Sequence, residues 1–130
     1  MKQFGFIGVT MITFDIKYNR CVIADKMYFP GDVIEIAEIL PLSPEDTIVI
    51  NNTNLRVFTY ALNEYQDCVV LGNGCLYNHN DTANASYAIE QVNDRHCMVY
   101  KATELIQHNE QIFINYLQDA DVDLELWGIK

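Results

Sequence analysis

The chain has 130 residues, half of them hydrophobic, including eight tyrosines and six phenylalanines. This composition is sufficient for one domain with a buried core and argues for an ordered globule rather than a disordered tail. Eighteen acidic residues against eight basic ones give a net charge of −10, which argues against nucleic acid and anionic membranes as partners and favours a basic partner. Acidity also keeps small proteins soluble, so charge alone leaves both explanations open.

Four cysteines are present without a Cys-x-x-Cys pair, and only Cys97 stands beside a histidine, His96. This pattern is weak support for a metal site, so free buried thiols in a reducing compartment are expected. The apolar stretch 4–14 is interrupted by threonines and lacks a cleavage site, and no stretch is long enough to span a membrane. We therefore expect no metal and a cytoplasmic or other intracellular location.

Short apolar segments separated by turns make up the first half of the chain. β-Branched and aromatic residues at 6–18 predict one strand or a bent pair of strands. Residues 33–40 fit both a helical face and an alternating strand, and we favour the strand. The remaining expected elements are an apolar core segment at 22–24, a turn at 28–32, a strand at 47–50, and a short helix or strand at 55–62.

The second half is organised around LGNGCLYNHN at 71–80, which places two glycines, several asparagines and a histidine between an apolar run and a polar loop. Taken alone, this stretch is explained by a hairpin turn with positive φ at Asn73-Gly74. The elements expected after it are loop-strand-loop at 80–95, strands at 96–102 and 111–116 around a turn at 107–110, and an acidic tail. These signals predict a single, mostly β domain over 1–130.

Together with the residues that follow it, this stretch resembles the core of a SET domain, the protein-lysine methyltransferase fold. The family pattern is a glycine-bracketed turn, an Asn-His pair, an Asn and a Tyr, a Gly-Glu-Glu turn, a strand and a final Tyr. The matching residues here are Asn78-His79, Asn84, Tyr87, Asn109-Glu110-Gln111 and Tyr116. The resemblance covers about 18–117, leaving 118–130 as the tail. It implies a β-clip fold of several small sheets, few short helices, and a C-terminal segment threaded through a pseudoknot.

Site residues also follow from the resemblance. Tyr116 matches the catalytic tyrosine, whose hydroxyl lies near the transferred methyl group. Tyr87 and, more loosely, Tyr60 match tyrosines of the substrate-lysine channel. The implied cofactor-binding residues are Arg20, Cys21, Asn78, His79 and Trp127. Taken alone, each aromatic residue would be read as a core or rim residue, and Trp127 is equally explained by packing the tail onto the body.

The departures from the family pattern fall near the cofactor. Asn19-Arg20-Cys21 replaces a Gly-x-Gly turn. Asn19 tolerates left-handed φ, but Cys21 adds a side chain where the backbone must approach closely. Asn109 replaces the glycine of the Gly-Glu-Glu turn, where asparagine can also adopt left-handed φ.

Two functions are therefore expected. The first is S-adenosylmethionine-dependent methyl transfer to lysines of a basic protein or peptide, with a homodimer as a further expectation. The alternative is a non-catalytic SET-like module that binds a partner and has lost or weakened its cofactor binding.

Overall fold

The computed structural model describes residues 11–15 and 19–116, with side chains described from Arg20 onward. Within these ranges the chain forms nine short strands, one α-helix and two 3₁₀ turns. The strands are β1 (Met11–Asp15), β2 (Asn19–Ile23), β3 (Val33–Pro41), β4 (Tyr60–Ala61), β5 (Asp67–Val70), β6 (Asn78–His79), β7 (Ala85–Val92), β8 (Arg95–Ala102) and β9 (Phe113–Ile114). The helix is α1 (Pro44–Asn51), and the 3₁₀ turns are Asn54–Phe58 and Asn73–Cys75. The mostly β prediction is confirmed.

The described strands form three small sheets. The largest has the order β4-β5-β3-β8-β7 and is antiparallel throughout. Strand β3 lies at its centre because its first part pairs with β8 and its last part with β5. The other two sheets are the antiparallel pair β1-β2 and the parallel pair β6-β9.

The C-terminal segment runs between two distant parts of the chain. The Ile112 amide donates to Val22 O at 2.8 Å, and the Asn80 amide donates to Ile114 O at 3.1 Å. Residues 111–114 are therefore held by β2 on one side and by β6 on the other, which is the threading expected of the pseudoknot. Of the strand predicted at 111–116, only Phe113–Ile114 has strand geometry.

The strand prediction at 33–40 is confirmed, whereas the strand predicted at 47–50 is wrong. Residues 47–50 lie in α1, although they are all β-branched. The side chain of Ser43 caps this helix by accepting a hydrogen bond from the Asp46 amide at 3.0 Å, and Pro44 occupies its first turn. These start signals override the strand preference of the residues that follow. The segment at 55–62 divides into a 3₁₀ turn and β4.

Aromatic and aliphatic side chains pack into one core, in which Tyr28, Tyr77 and Tyr100 are fully buried. All four cysteines are free, and all but Cys75 are buried, as expected. No helix of the described residues is long and apolar enough to cross a membrane.

Positive φ falls at different residues from those that a hairpin at 71–80 predicts. Asn93 and Asp94, with φ of 51° and 65°, form the tight turn between β7 and β8. Residues Asn73–Cys75 form a 3₁₀ turn instead. Gly74 is needed there for space, because a Cβ would lie 2.6 Å from Tyr100 Oη.

Asn109 has φ of 72°, which confirms the expectation that asparagine replaces a glycine in this turn. We predict that Asn109→Ala lowers the free energy of unfolding by about 1 kcal/mol, because alanine lacks the tolerance of asparagine for left-handed φ. Asn109→Gly should leave stability unchanged or raise it slightly. Urea denaturation checks this, with the exposed neighbour His108→Ala as control. An Asn109→Ala variant as stable as the parent would contradict the prediction.

Candidate active site

Two adjoining cavities lie where the Asn54–Phe58 turn meets the segment at 73–78. The larger has a volume of about 150 Å³ and the smaller about 10 Å³, which is roughly the space of one water molecule. The residues that line both are Val57, Phe58, Cys75 and Tyr116. The larger cavity is also lined by Arg20, Leu76 and Asn78, and the smaller by Thr59, Tyr60 and Gly74. The two spaces therefore adjoin along a shared wall that includes Tyr116.

Hydrogen bonds to His79, Tyr77 and Tyr87 hold Tyr116 in place. Its amide donates to His79 Nδ1 at 2.9 Å, and its hydroxyl donates to the Tyr77 carbonyl at 2.8 Å. The Tyr87 hydroxyl donates a long bond of 3.4 Å to the Tyr116 carbonyl. Burial, followed by the nearby Cys75, raises the pKa of the Tyr116 phenol. The phenol therefore keeps its proton at neutral pH and acts through hydrogen bonding rather than as a base.

The Asn78-His79 pair forms β6 and faces β9. Asn78 Nδ2 donates to Arg20 O at 2.7 Å and to Gln111 Oε1 at 3.0 Å, which ties β2 to the C-terminal segment. Because His79 Nδ1 accepts the Tyr116 amide, its neutral ring carries the proton on Nε2, which lies 2.8 Å from Asp81 Oδ1. Both ring nitrogens are thus engaged, and His79 serves as an anchor for Tyr116.

Asn84 is buried and bonds the C-terminal segment directly. Its Nδ2 donates to Gln111 O at 2.9 Å, and its Oδ1 accepts from the Phe113 amide at 2.9 Å. The position of β9, and with it the position of Tyr116, depends on this side chain.

Tyr60 lines the smaller cavity. It belongs to a tyrosine cluster that also contains Tyr77, Tyr87 and Tyr100. Tyr60 Oη donates to Gly74 O at 2.7 Å and accepts from Tyr100 Oη at 2.9 Å. The Tyr60 and Tyr87 rings make an edge contact at 5.3 Å, and those of Tyr77 and Tyr100 lie 4.6 Å apart. Burial raises the pKa of the Tyr60, Tyr77 and Tyr100 phenols, so all three stay protonated.

Sequence reasoning missed Tyr77, Tyr100 and Glu35. Glu35 is a buried carboxyl on β3 that accepts from Tyr77 Oη at 2.5 Å and from the Asn73 amide at 2.9 Å. Burial raises its pKa, and the two donors partly oppose that shift. Its position within an apolar run, between Ile34 and Ile36, was the available signal.

The remaining predicted cofactor residues have different surroundings. Arg20 is exposed and makes no ion pair with any described residue. Burial raises the pKa of the Cys75 thiol, and the charge of Arg20 partly opposes that shift. The Cys21 side chain is buried and does not line either of the two cavities described above. Asn19 pairs with Asp15 as an extended strand residue, so it does not form the left-handed turn expected of it. Trp127 lies outside the described residues.

No group of three or more His, Cys, Asp or Glu side chains in the described part of the chain is arranged to hold a metal ion.

The SET domain family matches residues 19–117, and the chain belongs to this family. Among solved structures, it is similar to a Plasmodium falciparum protein described as a "putative histone methyltransferase", with a TM-score of 0.68 and 24% identity over 85% of this chain and 94% of that one. It is also similar to CpSET8 of Cryptosporidium, with a TM-score of 0.67 and 18% identity over 86% of this chain and 58% of that one. No curated protein matches the chain. Family membership supports a methyltransferase-type role.

We predict that Asn84→Ala lowers the free energy of unfolding by about 2 kcal/mol, because it removes two partly buried hydrogen bonds to the backbone of Gln111 and Phe113. Amide exchange at Phe113 should accelerate at the same time. Asn54→Ala, at an exposed asparagine, serves as control and should change stability by no more than about 0.5 kcal/mol. Unchanged exchange at Phe113 would mean that Asn84 does not hold the segment.

Proposed function

We propose that this protein transfers a methyl group from S-adenosylmethionine to the ε-amine of a lysine in a basic protein or peptide. The observation that carries the proposal is that Tyr116 lines both cavities. A methyl donor in the larger space and an amine entering the smaller one would meet beside its ring. Alignment of two reactants is the main task in such a displacement.

The side chains around the larger cavity suit this cofactor chemically. The guanidinium of Arg20, which makes no ion pair with a described residue, suits a carboxylate. Asn78 Oδ1 makes no hydrogen bond with a described residue and remains available to an amino group, since only Nδ2 is used internally. Val57, Phe58 and Leu76 provide apolar surface for a ring. When bound, the cofactor supplies an electrophilic methyl group, and its C–S electron pair stays on sulfur as the N–C bond forms.

The residues around the smaller cavity would prepare the amine. Space for one water molecule beside aromatic rings leaves little hydration for an ammonium group, which lowers the pKa of an entering lysine and favours loss of its proton to solvent. The Tyr116 proton is engaged by the Tyr77 carbonyl. The Tyr116 oxygen can therefore accept an N–H of the amine and turn the nitrogen lone pair toward the methyl group.

A basic substrate is proposed because the net charge of −10 would speed its encounter with this protein. The homodimer remains a prediction. The alternative of a cofactor-free module was motivated by Asn19 and Cys21, which replace both glycines of the cofactor turn. Asn19 is an extended strand residue and does not form that turn, which leaves this alternative open to the cofactor titration. The Cys21 side chain is buried and lines neither cavity, so it does not obstruct them.

Calorimetric titration tests the cofactor site. S-adenosylmethionine and S-adenosylhomocysteine should both bind in the micromolar range, about −8 kcal/mol. Arg20→Ala should weaken both about tenfold, because a charge-assisted contact to the carboxylate is lost. Arg95→Ala, which removes an exposed arginine paired with Glu38, is the matched control. Absence of binding by a folded chain would refute the proposal.

Methyl transfer to a lysine-rich peptide, followed by mass spectrometry, tests the catalytic assignment. Tyr116→Phe should reduce kcat by about a hundredfold while the protein stays folded, because the amine is no longer aligned. Tyr65→Phe removes a hydroxyl from an exposed tyrosine and should have no effect. Full activity in Tyr116→Phe would show that the hydroxyl has no part in catalysis.

A further inference from the structure

Glu35 occupies a place where a carboxylate is energetically unfavourable. It is 4% exposed, and burying a charge without good partners is costly. Both carboxylate oxygens are used, Oε1 by the Tyr77 hydroxyl and Oε2 by the Asn73 amide. The adjacent Gly72 leaves room for it, because a Cβ there would collide with Oε2. The site is thus built to hold this side chain.

Both partners of Glu35 lie in the segment that forms the wall of the two cavities. Tyr77 is the more informative of the two, because its side chain and its backbone act on different groups. Its hydroxyl donates to Glu35 at 2.5 Å, while its carbonyl accepts the Tyr116 hydroxyl at 2.8 Å. The Tyr77 ring is also fixed against Tyr100. A shift of Tyr77 would therefore carry the acceptor of the Tyr116 proton with it.

We propose that Glu35 is a positioning residue, which acts through Tyr77 to set the orientation of the Tyr116 hydroxyl. This inference rests on the proposed function in assigning that hydroxyl to methyl transfer. Glu35 itself touches neither cavity and takes no part in the chemistry. Two hydrogen bonds in series, one to the side chain and one to the carbonyl of Tyr77, connect the centre of the sheet to the site.

The first test does not depend on activity. In protein labelled with ¹³C at the tyrosine rings, Glu35→Gln should shift the Tyr77 and Tyr116 ring signals and leave the exposed Tyr65 unchanged. Glutamine keeps the volume but cannot accept from both donors. Tyr77→Phe removes only the hydroxyl link and should also shift the Tyr116 signal. Glu38→Gln, at an exposed glutamate of the same strand, is the matched control. An unmoved Tyr116 signal in both variants would overturn the inference.

The second test compares binding with turnover. Tyr77→Phe should lower kcat about tenfold through misplacement of the Tyr116 hydroxyl, while the affinity for S-adenosylhomocysteine changes less than about twofold, since Asn78 is held independently. The kcat of the double variant Glu35→Gln/Tyr77→Phe should equal that of the more affected single variant, because both substitutions break the same hydrogen bond. Equal losses in affinity and kcat would indicate a general structural role. A wild-type chain without methyl transfer would refute the proposed function, yet the ring signals would still decide the positioning claim.

Discussion

The position of the C-terminal segment is the constraint on which the site depends. Residues 111–114 are held by β2 through Val22 and by Asn80, which directly follows β6, and the buried Asn84 side chain adds two hydrogen bonds. The parallel pair β6-β9 has only two residues in each strand, so few backbone hydrogen bonds join them and side-chain hydrogen bonds must add to the stability of the pair. Tyr116 follows this pair directly. Its place beside the cavities therefore results from pairing between residues more than thirty positions apart.

Hydrogen bonding, rather than ionisation, organises the surroundings of Tyr116. Burial raises the pKa of the Tyr60, Tyr77, Tyr100 and Tyr116 phenols, which keeps these groups as donors and acceptors. Neutral phenols suit the proposed displacement, in which the electron pair remains on sulfur and the amine arrives without its proton. The one buried carboxyl of this cluster, Glu35, lies behind Tyr77 and away from the cavities. Its two hydrogen bonds therefore hold Asn73 and Tyr77 without placing a carboxyl group in the cavities.

Local sequence signals predicted the correct element where signals in neighbouring residues did not oppose them. Asn109 takes the left-handed conformation expected of a residue in place of glycine. Residues 33–40 form a strand because they pair with β8 and β5, whereas periodicity alone did not decide between helix and strand. At 47–50 the β-branched residues predicted a strand, but Ser43 and Pro44 start a helix. Cys21 was expected to obstruct the cofactor turn, yet β2 turns its side chain into the interior.

By itself, the sequence determined the family, the mostly β class, and the order of Asn78, His79, Asn84, Tyr87 and Tyr116, because these depend on residue types at set spacings. Only the tertiary structure decided that Tyr116 lines both cavities, that both nitrogens of His79 are engaged, and that Glu35 supports Tyr77. The physical reason is that the bond between His79 and Tyr116 and the bond between Glu35 and Tyr77 join residues 37 and 42 positions apart. Such contacts exist only after the sheet and the C-terminal segment have come together, and no local pattern encodes them.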